Sequence, residues 1–264
     1  MTAVALEAHR TAAPPVPLVL VGHGSRDWRF AQTLDALADV VRRRQPDLDV
    51  RLGYLELTSP SLEEVLASGP AGSGGTAGTA GPGDGSSVVV VPLLLGAGFH
   101  AQVDLPRRAA AAAPGAAVTP VLGPDPRLEA VAAGRARELA ADKGVDAFVL
   151  VATGSSDPEV NGAASRVASR LEAQLERRVG TAFATATSPT VASAVRSLRD
   201  EGHPAGRIGL LPWFLAPGLL LDRAVRQAAE VGVQAAAPPL GEHDLVASVI
   251  LDRYASSVTA PPPS

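Results

Sequence analysis

The sequence predicts an α/β protein of two tandem domains related by internal duplication, each a four-stranded parallel sheet with helices on both faces. Three observations carry this. Short apolar runs alternate with stretches of helical patterning along the chain. Four motifs recur in the same order in the two halves. The composition is 46% hydrophobic but 3% aromatic, so the core must be built from Ala, Val and Leu, which suits buried parallel strands under tightly packed helices.

In order, the first half offers strands at 16–21, 50–57, 88–95 and 117–122, with helical spacing between them, as in Leu34, Leu37, Val40 and Val41. The second half offers strands at 147–152, 179–186, 208–215 and 234–240, again separated by helical stretches. These define domains at 16–144 and 145–255, with disordered ends expected at 1–15 and 256–264. Residues 69–87 are almost entirely Gly, Ala, Ser, Thr and Pro, a flexible insertion that cannot support a core. Surface loops lengthen at little cost, so the insertion reads as a tolerated surface segment before it reads as a lid.

The duplication can be followed residue by residue. Leu18-Val-Leu-Val-Gly-His-Gly-Ser25 matches Phe148-Val-Leu-Val-Ala-Thr-Gly-Ser155, and Thr58-Ser-Pro60 matches Thr187-Ser-Pro189. Val91-Pro-Leu-Leu-Leu-Gly-Ala-Gly98 matches Leu211-Pro-Trp-Phe-Leu-Ala-Pro-Gly218, and Leu122-Gly-Pro-Asp-Pro126 matches Leu240-Gly-Glu-His-Asp244. The offset shortens after the second match, where the first half carries its insertion.

Composition excludes several classes of function. There is no cysteine, so disulfides, thiolate metal sites and protein-ligated iron–sulfur clusters are out. A net charge of −4 without a basic, aromatic-studded stripe argues against nucleic acid. Residues 1–17 lack the apolar core of a signal peptide, and no apolar run approaches the ~20 residues that span a bilayer. The expected location is the cytoplasm, away from membranes.

The halves differ where chemistry is expected. Gly-His-Gly-Ser at 22–25 becomes Ala-Thr-Gly-Ser at 152–155, and Gly98-Phe-His100 becomes Gly218-Leu-Leu220. The first half alone therefore keeps His23 and His100, each just beyond a strand. In a doubly wound sheet of order 2-1-3-4 those two strands are neighbours at the switch point, so the loops leaving them can meet over one site. Two imidazoles there can hold one divalent ion. Gly22, Gly24, Gly96 and Gly98 would let a bulky flat ligand approach the backbone. Glu56 ends the second strand, with Leu55 and Leu57 expected on the opposite face. A carboxylate in so apolar a stretch needs a partner, which makes it either a third oxygen ligand or a base for displaced protons. Asp104 and Pro106 read as the N-cap and first-turn proline that fix the loop carrying His100.

Other readings fit less well. Ser25 is not a hydrolase nucleophile of the strand–elbow type, because Asp27 stands where that motif needs glycine. Neither GxGxxG nor a P-loop is present. His9 lies in the loose N-terminus, His203 reads as a surface residue, and His243 as part of a helix start.

The motifs Val21-Gly-His-Gly-Ser-Arg26, Tyr54-Leu-Glu-Leu-Thr-Ser-Pro60 and Val91-Pro-Leu-Leu-Leu-Gly-Ala-Gly-Phe-His100, leading into Asp104 and Pro106, resemble the class II tetrapyrrole chelatases of the sirohydrochlorin chelatase (CbiX/SirB) type. The second half resembles that family's degenerate repeat, so the likeness spans about residues 16–255. It implies two flavodoxin-like lobes with sirohydrochlorin bound between them and Fe(II) or Co(II) as metal substrate, with no ATP or other cofactor. It assigns metal handling to His23 and His100 and the acidic role to Glu56. Ser25, Arg26, Gly98, Arg107 and Arg108 become candidate tetrapyrrole contacts, the arginines because guanidinium pairs with the substrate's carboxylates. Single-lobe members pair as dimers, so a fused chain is expected to act as a monomer. Iron insertion to give siroheme is the leading expectation, cobalt insertion the alternative. A non-catalytic tetrapyrrole or metal carrier is the alternative from another class.

Overall fold

The computed structural model describes residues 15–68, 88–98, 100–185 and 187–259. The insertion at 69–87, and nearly all of the expected disordered N-terminus, lie outside the described residues.

The first sheet contains β1 (Leu18–Gly22), β2 (Val50–Tyr54), β3 (Val88–Pro92) and β4 (Ala116–Val118), all parallel, in the order β2-β1-β3-β4. The second repeats it with β5 (Ala147–Ala152), β6 (Val179–Phe183), β7 (Ile208–Pro212) and β8 (Ala235–Ala236), in the order β6-β5-β7-β8. The strands begin close to where the apolar runs predict. Most end two to four residues earlier, because the apolar residues that follow leave the sheet for the loops at its C-terminal edge.

The helices are α1 (Trp28–Arg44), α2 (Leu62–Ala67), α3 (Leu105–Ala112) and α4 (Pro126–Lys143), then α5 (Pro158–Leu175), α6 (Val191–Asp200), α7 (Leu219–Glu230) and α8 (Asp244–Thr259). Their starts are chemically marked. Asp27, Asp125 and Asp157 each accept a backbone N–H two residues on, and Ser61 with Glu64 forms a reciprocal capping box. Gly144 ends α4 in the left-handed conformation (φ 66°). Helix α8 continues to Thr259. Residues 256–259, expected as tail, are therefore helical.

The layers run α2/α3, first sheet, α1/α8 with α4/α5, second sheet, α6/α7. The central helical layer is one continuous core, in which Leu18 and Leu20 of β1 and Phe148 and Leu150 of β5 join a single apolar cluster. The sequence repeat and the packing unit do not coincide. Helix α4, from the first repeat, packs on β7, β8 and α5, while α8, from the second, packs on β3 and α1. Polar ties fix the exchange. Tyr254 Oη donates to Val16 O (2.7 Å), Arg253 Nε to Val121 O (3.1 Å), and Arg170 forks onto Glu129 between α5 and α4 (2.6 and 2.9 Å). No helix among the described residues is long and apolar enough to cross a membrane.

Candidate active site between the lobes

Both sheets direct the C-terminal edges of their strands toward one cavity of about 700 Å³, a size suited to a large organic ligand. The first lobe contributes His23, Ser25, Arg26, Leu57, Leu93 and Gly98. The second contributes Thr153, Val160, Asn161, Trp213, Leu219 and Leu220. The wall is mainly apolar. Among the described residues it holds one guanidinium, Arg26, and no carboxylate.

The loop after β1 is laced to the loop after β2. Leu55 N donates to Gly22 O (3.0 Å) and Glu56 N to His23 O (2.9 Å). Ser25 N donates to Thr58 Oγ1 (3.0 Å), which donates back to Ser25 O (2.9 Å). Gly24 sits at φ +97°, and a Cβ on it would fall 1.6 Å from Glu56 O. Only glycine permits this junction. The His23 backbone is thereby held beside Glu56, with the imidazole half-buried in the cavity wall.

Glu56 departs from its expected setting. It follows the end of β2 and is exposed, so its charge needs no buried partner. Strand alternation is also broken there: Leu55 is buried, whereas Leu57 is 58% exposed at φ 61°.

His100 opens a single π-helical turn, His100–Asp104, that runs directly into α3. Its side chain, like all of Phe99, lies outside the described part of the structure. Gly98 and Ala101, on either side, both line the cavity, which places the turn on the same wall as His23. Among the described residues no group of three or more His, Asp or Glu forms a metal site. Asp104 occupies the cap position of α3 but makes no side-chain cap bond, because the π turn continues the helix through it; its carboxylate pairs with Arg107 (3.4 Å).

Two expected substrate contacts are corrected. Arg108 forks onto Glu63 of α2 (2.7 and 2.8 Å) and donates to Leu55 O (2.9 Å), binding α3 to α2 on the outer face of the sheet. That pairing holds the Arg108 guanidinium above its usual range and the Glu63 carboxyl below its own, with Asp104 and Glu56 adding smaller effects on Arg108. Arg107 is exposed on α3 and absent from the cavity wall.

The expectation that four glycines admit the ligand is also narrowed. A Cβ on Gly22 would strike Leu34 Cδ1 (2.6 Å), and one on Gly96 would press Val160 Cγ1 of the other lobe (3.0 Å). Gly22 and Gly24 thus serve packing within the protein, and Gly96 serves contact between lobes. Gly98 has open space beside it.

The second lobe repeats the lacing with neutral side chains. Ala184 N donates to Ala152 O (2.9 Å) and Thr185 N to Thr153 O (3.0 Å), so Thr153 stands for His23 and Thr185 for Glu56. Asn161 brackets Ser155 (2.7 and 2.8 Å), the task Thr58 performs for Ser25. The lobes also meet through Arg29 of α1, which bridges Asp27 and Asp222 of α7 (both 2.5 Å). Sequence reasoning missed the second-lobe wall. Its signal was the apolar run that continues past β7 through Trp213 and Leu215 to Leu219-Leu-Leu221; Asn161 had none. The other two described histidines are structural: His203 Nδ1 lies 3.2 Å from Asp146, and His243 Nδ1 accepts from Leu245 N (3.0 Å) at the start of α8, while His9 lies outside the described residues.

Comparison with known proteins shows the family and the fold. The CbiX family model matches residues 17–139 and 147–257, one match per repeat. A sirohydrochlorin ferrochelatase of Priestia megaterium is 26% identical over 247 residues, covering 88% of this chain and 87% of that one. A sirohydrochlorin cobaltochelatase of Methanosarcina acetivorans is 32% identical over 89 residues, 34% of this chain and 60% of that one. In fold, the chain is similar to SirB from Bacillus subtilis, solved with Fe3+, at a TM-score of 0.70 and 24% identity, covering 92% of this chain and 95% of that one.

Proposed function

The chain belongs to the CbiX family, and from that premise we propose that it is a metal chelatase, a lyase that inserts Fe(II) into sirohydrochlorin with release of two protons. One observation carries the reading: the two histidine-bearing turns of the first lobe adjoin a single apolar cavity whose other wall comes from a lobe that has lost both histidines.

In this reading His23 and His100 present the metal ion, which is a substrate. Neutral imidazole is a borderline ligand that binds Fe(II) or Co(II) and still releases it. The macrocycle lies in the cleft with its apolar face on Leu93, Trp213 and Leu220, while its carboxylates point to the mouth, where Arg26 pairs with one of them. Each pyrrole N–H that meets the ion gives up a proton. Glu56, exposed and tied through its backbone to His23, accepts protons and passes them to solvent. Ser25 and Gly98 shape the wall beside the bound disc. One chain supplies both walls, so the active unit is a monomer.

Iron is favoured because two relatives matched along most of both chains are named ferrochelatases. Cobalt is the second reading, favoured by the relatives named cobaltochelatases that match over about a third of this chain. The test is anaerobic incubation of the purified chain with sirohydrochlorin and either ion, followed by visible absorbance. Metallation faster than in the protein-free control is expected, with the higher kcat/KM for Fe(II). Equal rates with and without protein would end the proposal, and a preference for Co(II) would replace iron by cobalt.

A further inference from the structure

We propose that Leu57 is a substrate-positioning residue, an apolar contact held in a strained turn so that it presses on the bound tetrapyrrole beside the proton acceptor Glu56; the inference rests on the functional reading above. Leu57 lines the cavity with 58% of its surface exposed. Its turn is closed by Thr58 N donating to Glu56 O (2.7 Å) around a central φ of 61°. A three-residue turn of this hand is rare and strained. Among the described residues one other non-glycine has positive φ, Glu176, and it sits at the C-terminal cap of α5, where that conformation is common.

Among the described residues, no core contact accounts for leucine at this position, since its side chain is 58% exposed. Glycine or asparagine would adopt the backbone at lower cost, and an exposed side chain adds little to the core. The conformation persists because bonds on both sides over-determine it: Leu55 and Glu56 to the β1 loop, and Thr58 to Ser25. Exposed apolar surface inside a cavity is explained by a ligand that covers it. Across the same cavity Leu219 and Leu220 of the second lobe are likewise exposed, at 62% and 39%. The second repeat, which has Thr153 for His23 and Thr185 for Glu56, carries Ala186 at the matching position in sequence. The large side chain occurs only in the repeat that keeps the chemistry. A flat macrocycle gripped between Leu57 and the Leu219–Leu220 pair is set at a fixed height over His23, which shares the cavity wall with all three leucines.

The test compares wild type with Leu57→Asn, which suits positive φ at nearly the same size, Leu57→Gly, which relieves the strain, and Leu57→Met, which keeps an apolar contact. KM for sirohydrochlorin and kcat are measured with saturating metal. Metal-free binding is followed by quenching of tryptophan fluorescence, and thermal midpoints are recorded. Losing the contact of one leucine should raise KM and Kd about 5- to 10-fold in the Asn and Gly variants. Their midpoints should hold or rise, and the Met variant should stay within about twofold of wild type. Unchanged KM and Kd in the Asn and Gly variants, with wild type active, overturn the inference and leave the functional reading standing. So does a KM rise seen only together with a fall in thermal midpoint. A wild-type chain that neither binds nor metallates sirohydrochlorin overturns both.

Discussion

Replacing Gly24 by alanine tests the geometry that couples His23 to Glu56. The new methyl would lie 1.6 Å from Glu56 O and 2.8 Å from its carbonyl carbon, both backbone atoms that no rotamer change can move. At φ +97° an alanine also carries strain of about 1–3 kcal/mol. To admit the methyl, the β1 and β2 loops must separate, breaking the Glu56 N to His23 O bond and loosening the Ser25–Thr58 pair, each worth about 1 kcal/mol. The sum is about 3–5 kcal/mol, which for a chain of this size lowers the thermal midpoint by about 10 °C. Differential scanning calorimetry measures the shift, with Gly98→Ala as control, because Gly98 has no atom near its would-be Cβ. Turnover should fall far more steeply than stability in Gly24→Ala, since both candidate reacting groups are displaced. A midpoint within about 2 °C of wild type would refute the argument, as would an equal loss in the Gly98→Ala control.

Three further outcomes are expected. His23→Ala and His100→Ala should each lose chelation by at least about a hundredfold while keeping the wild-type thermal midpoint, and full activity in both would remove their assigned roles. Tyr54 has a buried hydroxyl with no hydrogen-bond partner among the described residues and a pKa pushed up to about 12 by burial, with the Asp35 charge adding to it; Tyr54→Phe should be neutral or stabilising by up to about 1 kcal/mol in urea unfolding, in line with Phe183 at the matching place in β6. The Asp125 carboxyl is held below its usual range chiefly by hydrogen bonds from Arg127. Its stabilisation is therefore complete above the ordinary aspartate range and is lost as pH falls through the depressed native value. Asp125→Asn, which keeps a capping oxygen, should lower stability at pH 7 and match wild type in strong acid; a pH-independent difference in urea midpoints would contradict this.

The fold was legible because its signals are local. Buried parallel strands read as apolar runs, aspartates and prolines mark helix starts, and the duplication implies that both halves share one topology, as they do. Boundaries were misread for a physical reason: Leu93, Trp213 and Leu215 lie beyond the strand ends yet stay buried in the same apolar core, so the run of hydrophobic residues outlasts the strand. The exchange of α4 and α8 had no signature, because an amphipathic helix does not encode which of two equivalent sheets it covers. His23 stood out on comparing the repeats, and Ser25, Arg26 and Gly98 as candidates from the family resemblance; all four line the cavity. Arg108 was misassigned because sequence could not reveal Glu63 as its partner. The setting of Glu56 was misread because a reversal at Leu57 leaves no mark in side-chain alternation.

The reciprocal trade of terminal helices has a consequence for motion. A protein cut near Gly144 would strip one of the two inner helices from each sheet, leaving α1 alone on the first and α5 alone on the second. The short linker cannot serve as a hinge, since swinging one sheet away from the other would tear α4 and α8 from the surfaces they shield. A bulky disc is therefore expected to enter and leave past the rim, beside the Arg29–Asp222 pair, with the shared helical layer intact.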